Sequence, residues 1–329
     1  MKAEIFVGAE RRLHADLLRI WSRLLESTDL SIDDDFFDKG GDSLLATEMM
    51  LELERLIGKS IPETLLFETS TIRTLADRLT QTQELQLKPA VKIGAVSSGE
   101  TPLLFFHGDW TAGGFYMQNL ARKLGPELPV IAIAPHGMRG QPIPQSIEAM
   151  AADRLPAIME AQPRGPYRIG GHCVGAAVAF ETARLLLTGG HRVELIAMVE
   201  PVYIVEGELL KMPREPASEG KSTELFEIEA KSDNALPFPD LFFEDESDSK
   251  ISKQYHDSLV KYSPAPLSVP LIIFTSEYDG RPWCRLGRDY ELFDVVGGHF
   301  DWITIRAEAF ADTLKSRLRR IRAAAEGAK

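Results

Sequence analysis

Cys173 lies in Ile169-Gly170-Gly171-His172-Cys173-Val174-Gly175, a G-x-S-x-G pattern with cysteine in the serine position. The pattern describes a sharp turn from a buried strand into a helix, and its glycines leave room for a strained nucleophile. Tyr167-Arg168-Ile169 reads as the strand, and the small-residue run Ala176 to Leu186 reads as a helix packed closely on a sheet. The chemistry this predicts is acyl transfer by a thiol. At a helix N-terminus the positive end of the dipole is expected to favour the thiolate, the attacking form. A nucleophile needs a base, and Val296-Gly297-Gly298-His299-Phe300-Asp301-Trp302 places His299 in a glycine-flanked loop after the last strand-like run. His107, His136 and His172 do not fall where chain order requires the base. For the oxyanion, the elbow supplies the Val174 N–H, and a second donor is expected from His107-Gly108-Asp109-Trp110, with the Asp109 N–H as the candidate.

A second motif lies far upstream. In Gly40-Gly41-Asp42-Ser43-Leu44-Leu45 two glycines allow a tight turn, and Asp42 is placed to cap a helix that Ser43 opens. Ser43 is then expected to be exposed at a helix N-terminus, a position that suits a phosphodiester because free N–H groups and the dipole favour an anion.

The elements around these residues fall into two blocks. From about Glu10 to Thr82 the apolar spacing is helical, starting with Leu13, Leu17, Leu18, Trp21, Leu24 and Leu25. From Thr101 short apolar strands alternate with helices: Pro102 to Phe106, Val130 to Ala134, Tyr167 to Gly170, Val193 to Val199, Leu271 to Phe274 and Tyr290 to Val296. Such alternation predicts a mostly parallel sheet covered on both faces, and with the elbow it predicts an α/β-hydrolase. Between the blocks, polar and Pro/Gly/Ser-rich sequence reads as a flexible linker. The expected division is a helical domain at 1–82, a linker at 83–100 and a catalytic domain at 101–329. Residues 202–266 lack a strand pattern and form an insertion of functional length.

Composition narrows the class. A chain of 329 residues with 44% hydrophobic content supports two unequal domains, and a net charge of -12 argues against a nucleic-acid partner. Two cysteines, no signal peptide and no membrane-length apolar run predict a cytoplasmic, disulfide-free protein with no membrane partner. Acidic residues crowd the region of Ser43, and a second acidic run spans 240–248.

The helical block resembles the acyl or peptidyl carrier domains of nonribosomal peptide and polyketide assembly lines. The match covers Asp-Asp-Asp-Phe-Phe at 33–37, Gly-Gly-Asp-Ser-Leu at 40–44, Ile61-Pro62 and Phe67. It implies a small four-helix bundle in which Ser43 carries covalent 4'-phosphopantetheine, put there by a phosphopantetheinyl transferase. The acidic surroundings would favour basic docking surfaces on that transferase and on partner domains.

The second block, from roughly Pro102 to Leu318, resembles the terminal thioesterases of the same assembly lines, although Gly-Asp-Trp stands where the family has Pro-Ala after the first histidine. The resemblance places the triad acid at the end of the strand after the nucleophile helix. Glu200 occupies that position where the family has Asp, and Asp279, after the next long strand, is the alternative; Glu200 is preferred. The resemblance also implies a helical lid at about 202–266, with Phe226, Phe238, Leu241, Phe242, Phe243 and Tyr255 either lining an acyl chamber or packing the lid itself.

Together these readings predict release of an acyl or peptidyl chain from the chain's own carrier through an acyl-S-cysteine, by hydrolysis, cyclisation or transfer. The partners implied are upstream synthase modules or acyl-loading enzymes. An acyltransferase serving a separate acceptor, and a noncatalytic or editing module, are the alternatives. The absence of condensation or adenylation sequence fits either an excised C-terminal piece or a stand-alone partner of upstream enzymes.

Overall fold

The computed structural model describes residues 2–81, 87–93, 99–110, 113–205, 208–209 and 246–327. Helices α1 (Lys2–Leu24), α2 (Ser43–Ile57), α3 (Leu65–Glu68) and α4 (Ile72–Thr80) form the N-terminal unit. Leu17 and Trp21 from α1, Met49 and Leu53 from α2, and Leu75 from α4 share one core with Phe36, all essentially inaccessible. The helical spacing read from the sequence is thus the buried stripe. Asp42 caps α2 as expected, its Oδ1 accepting from Leu45 N at 2.8 Å. Gly41 has no room for a side chain, since a Cβ there would fall 2.4 Å from the Phe36 ring.

The second unit is built on a seven-stranded sheet in the order β1-β3-β2-β4-β5-β8-β9. Its strands are β1 (Ala90–Ile93), β2 (Leu103–Phe106), β3 (Val130–Ile133), β4 (Tyr167–His172), β5 (Val193–Val199), β8 (Leu271–Thr275) and β9 (Tyr290–Asp294). All pairings are parallel except β1 with β3. A short hairpin, β6 (Ile204–Val205) and β7 (Glu208–Leu209), stands apart. The all-buried central strands explain the continuous apolar runs of the sequence.

Alternation along each strand divides the core. Phe105, Ala197, Val199 and Phe274 face α5 (Tyr116–Leu124) and α9 (Ala307–Gly327), whereas Phe106, Ile169, Met198 and Ile273 face α6 (Ile147–Ala161) and α7 (Val174–Thr188). The architecture is α/β-hydrolase-like, with a mostly parallel, mixed sheet.

One expectation needs correction. The stretch read as a linker, 83–100, contains β1, pinned along β3 from Ala90↔Ile133 to Ile93↔Val130. Val91 and Ile93 turn inward while Lys92 is exposed, a four-residue alternation too short to stand out beside the proline and serines around it. In the insertion, α8 spans Glu246–Lys261, whereas Phe226, Phe238, Leu241, Phe242 and Phe243 lie outside the described residues. No described helix is long and apolar enough to cross a membrane.

Candidate active site

β4 delivers the chain into the elbow and α7 takes it away. Between them Cys173 has φ 55° and ψ -128°, a left-handed conformation for a non-glycine residue, costing on the order of 1–3 kcal/mol. The neighbouring structure enforces it. A Cβ on Gly171 would meet Gly175 O at 2.5 Å, and one on Gly175 would meet Phe106 O at 2.4 Å. Both glycines of the motif are therefore steric requirements. Gly108 is pressed in from β2, where a Cβ would lie 2.5 Å from His172 O and 3.0 Å from the Cys173 Cβ, so the loop after β2 adjoins Cys173.

Cys173 as a residue is half-buried, and the Val174 N–H points at its sulfur. Here the expected thiolate is corrected. Burial pushes Cys173 up to about 12, the Val174 N–H opposes this, and Glu200, Glu277 and Asp109 add negative charge nearby. Desolvation, with three carboxylates nearby, favours the neutral thiol over the thiolate that a helix N-terminus alone would favour.

His299 follows β9 as predicted and is brought to the elbow. Its carbonyl accepts from His172 Nε2 at 3.0 Å, and the two rings lie 4.5 Å apart at their centroids. Burial, and then the neighbouring His172, hold His299 well below its usual range, so the imidazole is neutral at rest. The loop is fastened by Asp301, whose Oδ2 accepts from Gly298 N at 2.9 Å.

Glu200 ends β5 with φ 46° and is fully buried. Its carboxyl accepts from Glu277 N at 3.1 Å and Tyr278 N at 3.0 Å, and from the Ser276 hydroxyl. Ser276 Oγ also lies 3.1 Å from Gly298 O, so a single hydroxyl joins the carboxyl to the histidine loop. Among the described residues Nδ1 of His299 has no hydrogen-bond partner and is buried, so Glu200 and His299 are neighbours through Ser276 and are not directly bonded. Asp279 is committed elsewhere. It holds Arg281 through Nε at 2.8 Å and Nη2 at 2.7 Å, and that guanidinium keeps its carboxyl low against the effect of burial.

Burial raises Glu200 to about 7, against the donors from Ser276, Tyr278 and Glu277. A carboxyl raised on folding contributes stability that is full below its ordinary value of 4.5 and lost as pH climbs through about 7. Glu200→Gln should flatten the fall in melting temperature between about pH 5 and pH 8. Thermal scans across that range check it, and an unchanged slope would remove Glu200 as the titrating group.

Asp109 is buried beside the elbow, its carbonyl 3.1 Å from His107 Nδ1 and its Oδ2 accepting from Gly114 N at 3.2 Å. The next residue, Trp110, stacks on Tyr255 of α8 with ring centroids 5.2 Å apart and planes 6° apart. Tyr255 hydroxyl in turn accepts from His136 N at 2.8 Å. Tyr255 thus ties α8 to the loop after β2. Sequence reasoning missed Ser276, Tyr278, whose ring lies 5.1 Å from that of His299, and Asp301. Only Asp301 left a signal, an acid two residues past the histidine.

In the N-terminal unit Ser43 is the first residue of α2 and is half-buried where an exposed position was expected; the adjoining Leu44 is 65% exposed. A primary alcohol at the start of a 15-residue helix fits a phosphopantetheine phosphodiester. The acidity around it is largely paired, Asp33 with Arg73 and Asp34 with Lys39.

These two sites fall within two recognised families. The thioesterase domain family matches residues 101–268, just over half of the chain, and the phosphopantetheine attachment site family matches residues 15–79. The chain belongs to the thioesterase domain family and bears, ahead of that domain, a carrier domain for covalent 4'-phosphopantetheine. Indigoidine synthase of Dickeya dadantii (strain 3937) is 33% identical over 204 residues, covering 61% of this chain and 13% of that protein. Indigoidine synthase of Streptomyces lavendulae is 30% identical over 230 residues, 68% of this chain and 18% of that one. The chain therefore spans less than a fifth of these curated relatives. A crystal structure of a four-domain nonribosomal peptide synthetase bound to AMP and glycine shares the fold over 93% of this chain and 26% of its own, with a TM-score of 0.54 and 23% identity.

Proposed function

We propose that residues 1–82 are a four-helix carrier bundle, that 101–329 are a thioesterase domain with a lid at about 202–266, and that the second releases an acyl or peptidyl chain held by the first. The observation that carries this reading is Cys173 at φ 55° in the elbow, with the His299 ring 4.5 Å from that of the adjoining His172, on the same chain as Ser43 at the head of α2. When attached to Ser43, the pantetheine thiol supplies the thioester. His299 takes the Cys173 proton as the sulfur attacks the thioester carbonyl, and the Val174 and Asp109 N–H groups hold the oxyanion. Collapse breaks the old carbon–sulfur bond, His299 returns the proton to the departing thiol, and an acyl-S-Cys173 remains. His299 then takes a proton from water, a hydroxyl or an amine as that group attacks, and gives it back to the Cys173 sulfur. Glu200, through Ser276, fixes the histidine loop.

Cysteine in place of serine has an energetic meaning. Exchange of one thioester for another is nearly isoenergetic, whereas transfer to serine yields a less reactive oxoester. The acyl-S-enzyme keeps more driving force for an amine or a strained internal hydroxyl. Upstream synthase modules or acyl-loading enzymes would supply the chain, and a phosphopantetheinyl transferase the arm. Loading Ser43 with acyl-pantetheine and comparing products of wild type and Cys173→Ser tests this; a shift towards hydrolysis in the variant is expected, and an unchanged product ratio would refute the role given to the thiol.

A further inference from the structure

Arg139 lies on the thioesterase side, in the turn Gly137-Met138-Arg139-Gly140, yet among the described residues its side chain bonds to the carrier side. Its Nε donates to Glu63 Oε2 at 2.9 Å and its Nη2 to Glu63 Oε1 at 2.8 Å, a two-pronged pair. Nη2 also reaches Glu54 Oε1 at 3.2 Å and Ile61 O, and Nη1 reaches the Ser60 hydroxyl. Glu54 is set for this, since its carboxylate already accepts from Ile61 N at 2.7 Å. The backbone supplies an independent observation. Arg139 has φ 52° and ψ 36°, left-handed for a residue with a side chain, between two glycines that also have positive φ. A non-glycine residue persists there when its surroundings hold it, and these bonds do so.

The contact is one end of a continuous footprint. Along α5 and its start, Phe115 meets Phe67 edge-on at 6.1 Å between centroids, Gln118 Nε2 donates to Leu66 O at 3.1 Å, and Arg122 pairs with Asp38 at 2.6 Å. Asp38 is five residues before Ser43, so this footprint runs toward the attachment serine. Glu63 also packs where a side chain on Gly113 would stand, 2.6 Å from that position, and Gly113 belongs to the loop that holds Asp109.

We infer that the turn at Arg139 and α5 form the docking surface for this chain's own carrier domain, with Arg139 as the residue that reads it through Glu63 and Glu54. Arg139 touches neither substrate nor nucleophile; it is a positioning residue, and the assignment rests on the release reading above. Guanidinium at this site gives recognition by charge and by fork geometry together, which lysine would not reproduce.

The test uses the full chain with Ser43 acyl-loaded, and in parallel a small soluble acyl thioester that needs no carrier. Arg139→Glu should slow loss of the Ser43-bound acyl group by about tenfold or more while turnover of the soluble thioester stays within about twofold. The double variant Arg139→Glu/Glu63→Arg should recover most of the loss. Unchanged release from Ser43 in Arg139→Glu, or an equal loss on both substrates, overturns the proposal. If wild type clears neither substrate, the release reading fails, and docking is then judged by small-angle scattering alone. Arg139→Glu should enlarge the radius of gyration and Glu63→Arg should restore it; an unaltered radius overturns the latch.

Discussion

Replacing Cys173 by alanine should leave the acyl group on Ser43. With the sulfur gone, the oxyanion donors and His299 remain, and a directly activated water is the only route left to the thioester. Loss of a nucleophile that acts as a unit with its base removes most of the rate, here about 10⁴-fold or more. Alanine fits the elbow's φ of 55° no worse than cysteine, so folding should survive. Intact mass of loaded protein over time reads the result directly. Equal rates of acyl loss in wild type and variant would show that the thiol has no part in release.

His299→Ala should be nearly as damaging, for a reason set by the thiol. With Cys173 pushed up to about 12, only about one thiol in 10⁵ is ionised at pH 7 without help. A positioned base typically contributes 10²–10⁴-fold, and the upper part of that range is expected because the unaided thiolate is so scarce. A distinct pH signature follows. Without the base, the rate tracks the thiolate and should rise about tenfold per pH unit through pH 7 to 10. Wild type should be level there, because His299 is already neutral, held low by burial and by His172. Initial rates on a soluble thioester across that range separate the two cases; parallel profiles would show that another group takes the proton.

Much of this site was legible in the sequence because each motif is a steric demand. Gly171 and Gly175 are required by carbonyls 2.5 and 2.4 Å from where a side chain would begin, and Gly41 by the Phe36 ring, so the pattern of glycines reports the turns. The strands showed because buried parallel strands are uninterrupted apolar runs. Strand β1 was hidden, since two inward residues in four are no signal against a proline- and serine-rich background. The state of the thiol was hidden too: a helix N-terminus can be read from sequence, but the desolvation and the carboxylates of Glu200, Glu277 and Asp109 that outweigh it come from three separate segments. The same is true of Ser276, which joins Glu200 to the histidine loop across residues 200, 276 and 298. Arg139 carried no motif at all, because its partners lie more than seventy residues upstream.

The most direct measurement is the location of the acyl group during turnover. Wild-type chain with acyl-pantetheine on Ser43 is quenched in acid within the first turnover, digested, and its peptides mapped by mass spectrometry. The account predicts acyl mass on the peptide that contains Cys173, lost with time and absent in Cys173→Ala. Acyl mass found only on the Ser43 peptide until free product forms would contradict it.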